Sequence, residues 1–422
     1  MLSPSDVDAW SAEDLGVLAV FGLVYLGMFL GRLPGLRLDR AGVALLGAIA
    51  VMAITGASIE QAARAVDGPT IALLFAFMVL SAQMQLAGFY GAVVRAVGAR
   101  ALGPAALLAA LIGVAAALSA VFSNDVVCLA MAPLVARIAR QRGLDPVALL
   151  VGLACAANIG SALTLIGNPQ NMLIGSVMQL PFAGYVGQAA LPVAGSLVLL
   201  WAWLLWGPSG QARCAGRPHV AEPQPPEEVP VFDRGQSLKG GVVAVVLMGV
   251  FLFTEAPREA AALLGAAVLL LSRRLPSAQL VRRVDGPLLI LFIGLFVVNH
   301  AFEATGLAAQ AVKWLAAHGV TLADPGVLLV AGLALSNLVS NVPAVMLLLP
   351  HLEGPAAGTT LALVSTFAGN LLLVGSIANL IVADLARRDG IVIDWRRHAV
   401  IGVPVTLGSV ALLAGWMQLT TA

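Results

Sequence analysis

The chain has 422 residues, 60% of them hydrophobic and 11% charged, with a mean hydropathy of +0.95. A soluble domain needs a more charged surface, and a formal charge of +1 argues against a nucleic-acid partner, so both classes drop out. Apolar stretches long enough to cross a bilayer recur from end to end, which makes this an all-α polytopic membrane protein embedded in lipid.

The first segment, "MLSPSDVDAWSAEDLG", has no basic region ahead of its apolar run and does not read as a cleaved signal. From there on, positive charge falls into alternate loops. Of the 23 Lys and Arg, all but Arg64, Arg258 and Lys313 lie in the groups Arg32 to Arg40, Arg95 to Arg100, Arg137 to Arg142, Arg213 to Lys239, Arg273 to Arg283 and Arg387 to Arg397. The positive-inside rule puts these groups in the cytoplasm and both termini on the outer, periplasmic side. Cys128, Cys155 and Cys214 have no framework spacing; the first two read as small core residues and the third lies in a polar linker.

Asp67 precedes Gly-Pro and reads as a helix cap, as does Asp285. The apolar run Gly103–Val135 has cytoplasmic arginines on both sides, so it returns to the side it entered from, and it is short for two full spans. It reads as a re-entrant hairpin over 103–135. The next span, 146–180, is interrupted by "SALTLIGNPQNMLIG", in which Gly167, Asn168 and Pro169 break one helix and start another. A polar stretch, "GRPHVAEPQPPEEVPVFDRGQ", then reads as a cytoplasmic linker over 207–239. Beyond it the pattern returns, with a hairpin over 325–350 and a broken span over 359–385.

The halves match in order. "DGPTIALLFAFMVLSAQMQLAG" (67–88) parallels "DGPLLILFIGLFVVNHAFEATG" (285–306), "ALSAVFSNDVVCLAMAPL" (117–134) parallels "ALSNLVSNVPAVMLLLPH" (334–351), and "LTLIGNPQNMLI" (163–174) parallels "LLLVGSIANLIV" (371–382). Asp67 falls outside and Asp285 inside by the charge rule. The chain therefore reads as two repeats, 1–206 and 240–422, inserted with inverted topology.

The hairpin tips carry Ser123, Asn124 and Asp125 in one half, and Ser340, Asn341 and Val342 in the other. The matching breaks restart at Gly167-Asn168 and Gly375-Ser376. Non-helical backbone at membrane depth costs several kcal/mol per unsatisfied group, unless protein, water or an ion satisfies it. Loose carbonyls with Ser and Asn oxygens suit Na+, and the exposed N–H groups of helix starts suit an anion or an oxygen-rich solute. Asn158, Asn370 and Thr164 lie nearby, with interhelical bonding as an equal explanation. Asp125 is open to three roles: a Na+ ligand, a proton carrier, or a helix cap.

At these residues the sequence resembles the ion transporter superfamily, which includes divalent-anion/Na+ symporters, arsenite permeases and bacterial anion permeases. "SNDVVCLAMAPLV" and "GSALTLIGNPQNMLIG" are similar to its signature stretches, and "NLLLVGSIANLI" to their second-half counterpart. The resemblance implies an inner-membrane elevator-type carrier, often homodimeric. It implies one cation site on Ser123, Asn124, Gly167 and Asn168 and another on Ser340, Asn341, Gly375 and Ser376. Substrate would sit between the tips, touching their Ser and Asn residues and Asp125, with Asn171 and Asn379 alongside.

Dicarboxylate carriers of this superfamily read Ser-Asn-Thr at both tips, whereas Asp125 and Val342 stand here. That departure favours a neutral or weakly charged oxyacid, arsenite-like, over a polycarboxylate. The expected function is secondary transport of a small anion or oxyacid coupled to Na+ or H+, with no other cofactor. A Na+/H+ antiporter is the alternative, and an ion channel stands behind it. An intramembrane enzyme would need a nucleophile–base pair or a metal cluster at depth, and none of the five His residues is beside Asp125 in sequence.

Overall fold

A computed structural model describes residues 10–31, 38–207 and 231–421. Arg32, Arg37, Arg213, Arg217, Cys214 and most of the 207–239 linker lie outside the described residues. Among those described, the regular structure is entirely helical, and seven helices are long and apolar enough to cross a membrane.

The first half runs α1 (Ala12–Leu30), α2 (Arg40–Thr55), α3 (Ile59–Ala65), α4 (Gly68–Leu86), α5 (Phe89–Gly98), α6 (Pro104–Val121), α7 (Asn124–Gln141), α8 (Pro146–Ser161), α9 (Pro169–Val177) and α10 (Phe182–Trp206). After the linker come α11 (Arg234–Phe253), α12 (Arg258–Leu270), α13 (Ser277–Val281), α14 (Gly286–Ala304), α15 (Leu307–Ala317), α16 (Pro325–Val339), α17 (Asn341–Leu348), α18 (Gly354–Ala368), α19 (Ile377–Arg388) and α20 (Trp395–Thr421). The second series repeats the first element by element: a long helix, a shorter one, a one-turn piece, a long helix with a short follower, a hairpin, a broken helix and a long closing helix.

Capping chemistry sets where these helices begin. Asp67 accepts from the Thr70 N–H at 2.8 Å and Asp285 from the Leu288 N–H at 3.0 Å, each ahead of a Gly-Pro start. Asp233 caps α11 in the same way. Its backbone hydrogen bond from Gln236, with help from Gly235 and Arg274, holds the carboxyl below the usual carboxylate range.

Small residues decide how the long helices pack. A methyl group on Gly294 would lie 2.6 Å from the Ala44 carbonyl carbon, and one on Gly47 would lie 3.2 Å from Val298. So α2 and α14 run side by side in the same direction, with backbones in close approach. Because α2 stops where α3 and α4 start, α4 begins at the end of the bundle where α14 finishes. Two further contacts between the halves are the end of α4 with the start of α11, through Gln83 and Gln236 at 2.8 Å, and the end of α14 with α1, through stacked Phe302 and Phe21 at 3.8 Å.

The first hairpin differs from its expected limits. Each of its arms has 18 residues, because α7 continues through Pro133 to Gln141 instead of stopping near Val135. At helical rise that is about 27 Å, more than the expected run allowed. Its feet nevertheless stay together, since Arg142 donates to the carbonyls of Gly98 at 3.0 Å and Arg100 at 2.8 Å. The second hairpin is shorter, with arms of 15 and 8 residues. Its far foot, His351, lies 3.4 Å from Glu303 at the end of α14.

Candidate functional site

Each break is a short non-α-helical stretch ended by a cap on the restarted helix. In the first, between α8 and α9, a methyl on Gly167 would fall 2.3 Å from the Ser161 carbonyl oxygen and 2.7 Å from that of Ser119, so only glycine fits. Asn168 caps α9, its side-chain oxygen accepting from the Asn171 N–H at 2.9 Å. Between α18 and α19 the chain makes a 3-10 turn over Leu373–Gly375, and Ser376 caps α19 by accepting from the Ala378 N–H at 3.2 Å.

Each hairpin tip meets its own half's break. The Asn124 N–H donates to the Gly167 carbonyl at 3.3 Å, which brings Ser123, Asn124, Gly167 and Asn168 together. In the second half a methyl on Gly369 would lie 3.1 Å from the Asn341 amide nitrogen and 3.3 Å from Ser376 Cβ, so Asn341, Gly375 and Ser376 gather beside Ser340.

One polar network joins the two clusters. Asn158 on α8 accepts from the Asn124 side chain at 2.9 Å and from the Ser376 hydroxyl at 3.1 Å, and donates to Asn370 Oδ1 at 2.9 Å and Asn379 Oδ1 at 3.4 Å. Continuing the 163–174 and 371–382 match upstream sets Asn158 opposite Thr366. Thr366 makes the mirror connections: its Oγ1 accepts from Asn168 at 3.2 Å and from Gln170 at 3.3 Å, and lies 3.3 Å from Asn171 Oδ1. Each half thus reaches across to the restarted helix of the other. All of these side chains are at most 6% exposed.

The carbonyls expected to be loose are largely taken by protein donors. Tyr185 donates to Ala162 O at 2.7 Å, Asn171 to Thr164 O at 3.0 Å, and Asn379 to Gly369 O at 2.8 Å and Leu372 O at 3.1 Å. Asn171 and Asn379 therefore brace the breaks. Five of the buried side-chain oxygens without a hydrogen-bond partner lie here: Asn124 Oδ1, Asn341 Oδ1, Asn337 Oδ1, Ser119 Oγ and Ser336 Oγ. Four of these form matching pairs, Asn124 with Asn341 and Ser119 with Ser336. Buried amide oxygens without donors are costly in isolation and are the hard-oxygen type that a small cation prefers.

Asp125 is not the cap of α7; that position is Ser123, whose side chain makes no capping bond. Asp125 sits in the first turn, half-buried. Val342, its counterpart, is buried. Asp67 does more than cap, since it also accepts from Ser176 at the end of α9 at 2.8 Å, while Arg258 on α12 holds Gly175 O at 2.8 Å. Asn158 and Asn370, for which interhelical bonding was an equal explanation, join the site, as do Thr366, Gln170 and Asn337 beyond the expected set. The duplicated register pointed to Thr366 only once Asn158 was known to matter.

Ser340 has φ 79° and ψ 160°, a region that side-chain-bearing residues avoid, at the point where the second hairpin turns. Ser340→Gly is expected to raise unfolding stability by about 1 kcal/mol and to weaken Na+ binding, read by thermal unfolding of purified protein with and without Na+. A variant no more stable than the parent would show that this backbone is unstrained.

A family model described as citrate transporter matches residues 23–368. The chain is 29% identical over 466 residues to the silicon efflux transporter LSI3 of Oryza sativa subsp. japonica, covering 92% of this chain and 94% of that one. It is 30% identical over 355 residues to the inner membrane protein YbiR of Escherichia coli K12, covering 84% and 88%. The crystal structure of the Alcanivorax borkumensis YdaH transporter, described as having an unusual topology, shares the fold with a TM-score of 0.56 at 17% identity over 97% of both chains. With residues 23–368, most of its length, matched by one family model, the chain belongs to the citrate transporter family of membrane transporters.

Proposed function

We propose that the chain is a secondary active carrier of the elevator kind in the bacterial inner membrane, moving a small oxyacid, as anion or neutral acid, together with Na+ or H+. The observation that carries this reading is the matched set of donor-free oxygens at the two hairpin tips, Asn124 with Asn341 and Ser119 with Ser336. Ser123, Asn124, Gly167 and Asn168 would hold one cation, and Ser340, Asn341, Gly375 and Ser376 a second. In this reading the two halves are inverted repeats, the hairpins are re-entrant, the linker is cytoplasmic, the termini are periplasmic and the carrier is a homodimer.

The substrate class follows from charge. A carboxylate at one tip and a valine at the other suit a polyanion poorly, because two unit charges about 4 Å apart repel by roughly 4 kcal/mol at an effective dielectric of 20. The family description names citrate and the rice relative is named for silicon. Of these, the chemistry of Asp125 and Val342 suits a neutral or weakly charged oxyacid, of the arsenite or silicic acid type, better than a tricarboxylate.

Purified protein in proteoliposomes is expected to accumulate such a solute under an imposed Na+ or H+ gradient, and Asp125→Asn to reduce the rate at least tenfold. No solute movement under either gradient would overturn the assignment. The carboxyl of Asp125 in the first turn of α7 favours one second reading, Na+/H+ exchange at this tip. Counterflow of the two cations with no solute present would select it.

A further inference from the structure

The two breaks are braced from a third helix in the same way, with one chemical difference. Tyr185, one turn into α10, donates its hydroxyl to the Ala162 carbonyl at 2.7 Å. His398, one turn into α20, places Nε2 3.0 Å from the Asn370 carbonyl. Ala162 and Asn370 stand opposite each other in the matched register, and Tyr185 and His398 are both the fourth residue of their helices. The same carbonyl is therefore held by a phenol in one half and by an imidazole in the other. A phenol keeps its proton through the neutral range, whereas an imidazole changes charge there.

His398 is 1% exposed and lies one turn from exposed Asp394, whose backbone carbonyl accepts from the His398 N–H at 3.1 Å. On the other side the brace leads to the network, because Asn370 Oδ1 accepts from Asn158, which in turn bonds Asn124 and Ser376. The Asn370 side-chain nitrogen is buried without a partner, so the brace is the contact that fixes this residue from α20. Among the described residues, the elements packed against α20 (α8, α10, α16, α18 and the 3-10 turn) bring two other titratable groups, Cys155 and Tyr185. The stretch around His398 adds Asp394, Arg396 and Arg397, all exposed.

We infer that His398 is a positioning residue for the second break, and that its protonation opposes cation occupancy at the hairpin tips. The neutral ring, with its proton on Nε2, holds Asn370 and through it Asn158. A second proton leaves that hydrogen bond in place and adds a positive charge behind the network, which repels a cation at the tips and tightens the ring's grip on the Asn370 carbonyl. The inference rests on the cation-coupled reading above.

The test is Na+ binding to the full chain, read by thermal stabilisation between about pH 5 and 8. In the wild type, Na+ affinity is expected to fall about tenfold toward the acid end. His398→Gln keeps a donor without a titrating ring, and His398→Tyr copies the first half; made in an Asp125→Asn background, so that the tip carboxyl does not titrate, both are expected to bind Na+ with a flat profile. A pH profile unchanged in these variants would overturn the role of His398 and leave the carrier reading intact. A wild type that ignores Na+ at every pH would remove the cation-coupled reading itself. The reciprocal measurement needs no variant: in histidine-labelled wild-type protein, saturating Na+ makes the buried imidazole harder to protonate. Its titration unmoved by Na+ would also overturn the inference.

Discussion

Replacing Asn158 by alanine is expected to lower transport by at least a hundredfold while the helices remain folded. The side chain satisfies Asn124, Ser376, Asn370 and Asn379 at once, and its loss leaves four buried polar groups short of a partner. Each such group costs about 1–3 kcal/mol when nothing replaces the bond, and a water entering the gap recovers part of that. A net destabilisation of about 2–4 kcal/mol is expected, read by thermal unfolding beside solute uptake in proteoliposomes. Asn158→Thr installs the residue found at the matching position, Thr366, and is expected to retain a measurable fraction of uptake. Near-normal uptake by the alanine variant would mean that the two clusters do not act through this side chain.

Alanine at the two break glycines is expected to give unequal results. A methyl on Gly167 would meet the Ser161 and Ser119 carbonyl oxygens at 2.3 and 2.7 Å, and backbone in a packed break has nowhere to go. Gly167→Ala is therefore expected to cost about 3 kcal/mol or more, through overpacking that shifts the chain. A methyl on Gly375 would meet the Asn337 side-chain oxygen at 3.0 Å and the Gly369 carbonyl oxygen at 3.2 Å. The first of these can rotate, so Gly375→Ala is expected to cost about 1 kcal/mol and to change ion affinity more than stability. Denaturant unfolding of the two variants checks the order. Equal costs would show that the breaks are packed alike.

The span pattern was legible because it depends on local chemistry. Gly-Pro after an aspartate starts a helix, arginines gather at one membrane face, and a proline after Gly167-Asn168 cannot continue a helix. The tips and breaks were legible for the same reason: Ser-Asn and Gly-Asn have no local use in an apolar run. The network was not. Asn158 sits in the last turn of α8, in "LACAANIG", where an amide that crosses to another segment looks the same as one bonding its neighbour. Thr366 shares no chemistry with Asn158 that a sequence match would notice. Asn171 and Asn379 were visible as amides, but their partners, Tyr185 and Asn158, come from other helices, and only the packing shows that they hold the break. The first hairpin was bounded at Val135, where the apolar run gives way to arginines, whereas α7 carries on through them to Gln141.

The exchange between Asn158 and the second restarted helix, and between Thr366 and the first, bears on how the protein is assembled. A chain cut within the 207–239 linker would yield two fragments, each with amides turned toward an absent mate. Neither fragment satisfies its own interior, so each alone is a target for quality-control proteolysis, whereas co-translated fragments can complete one another in the bilayer. The duplicated parts have become co-dependent, and a lesion in either one registers in both.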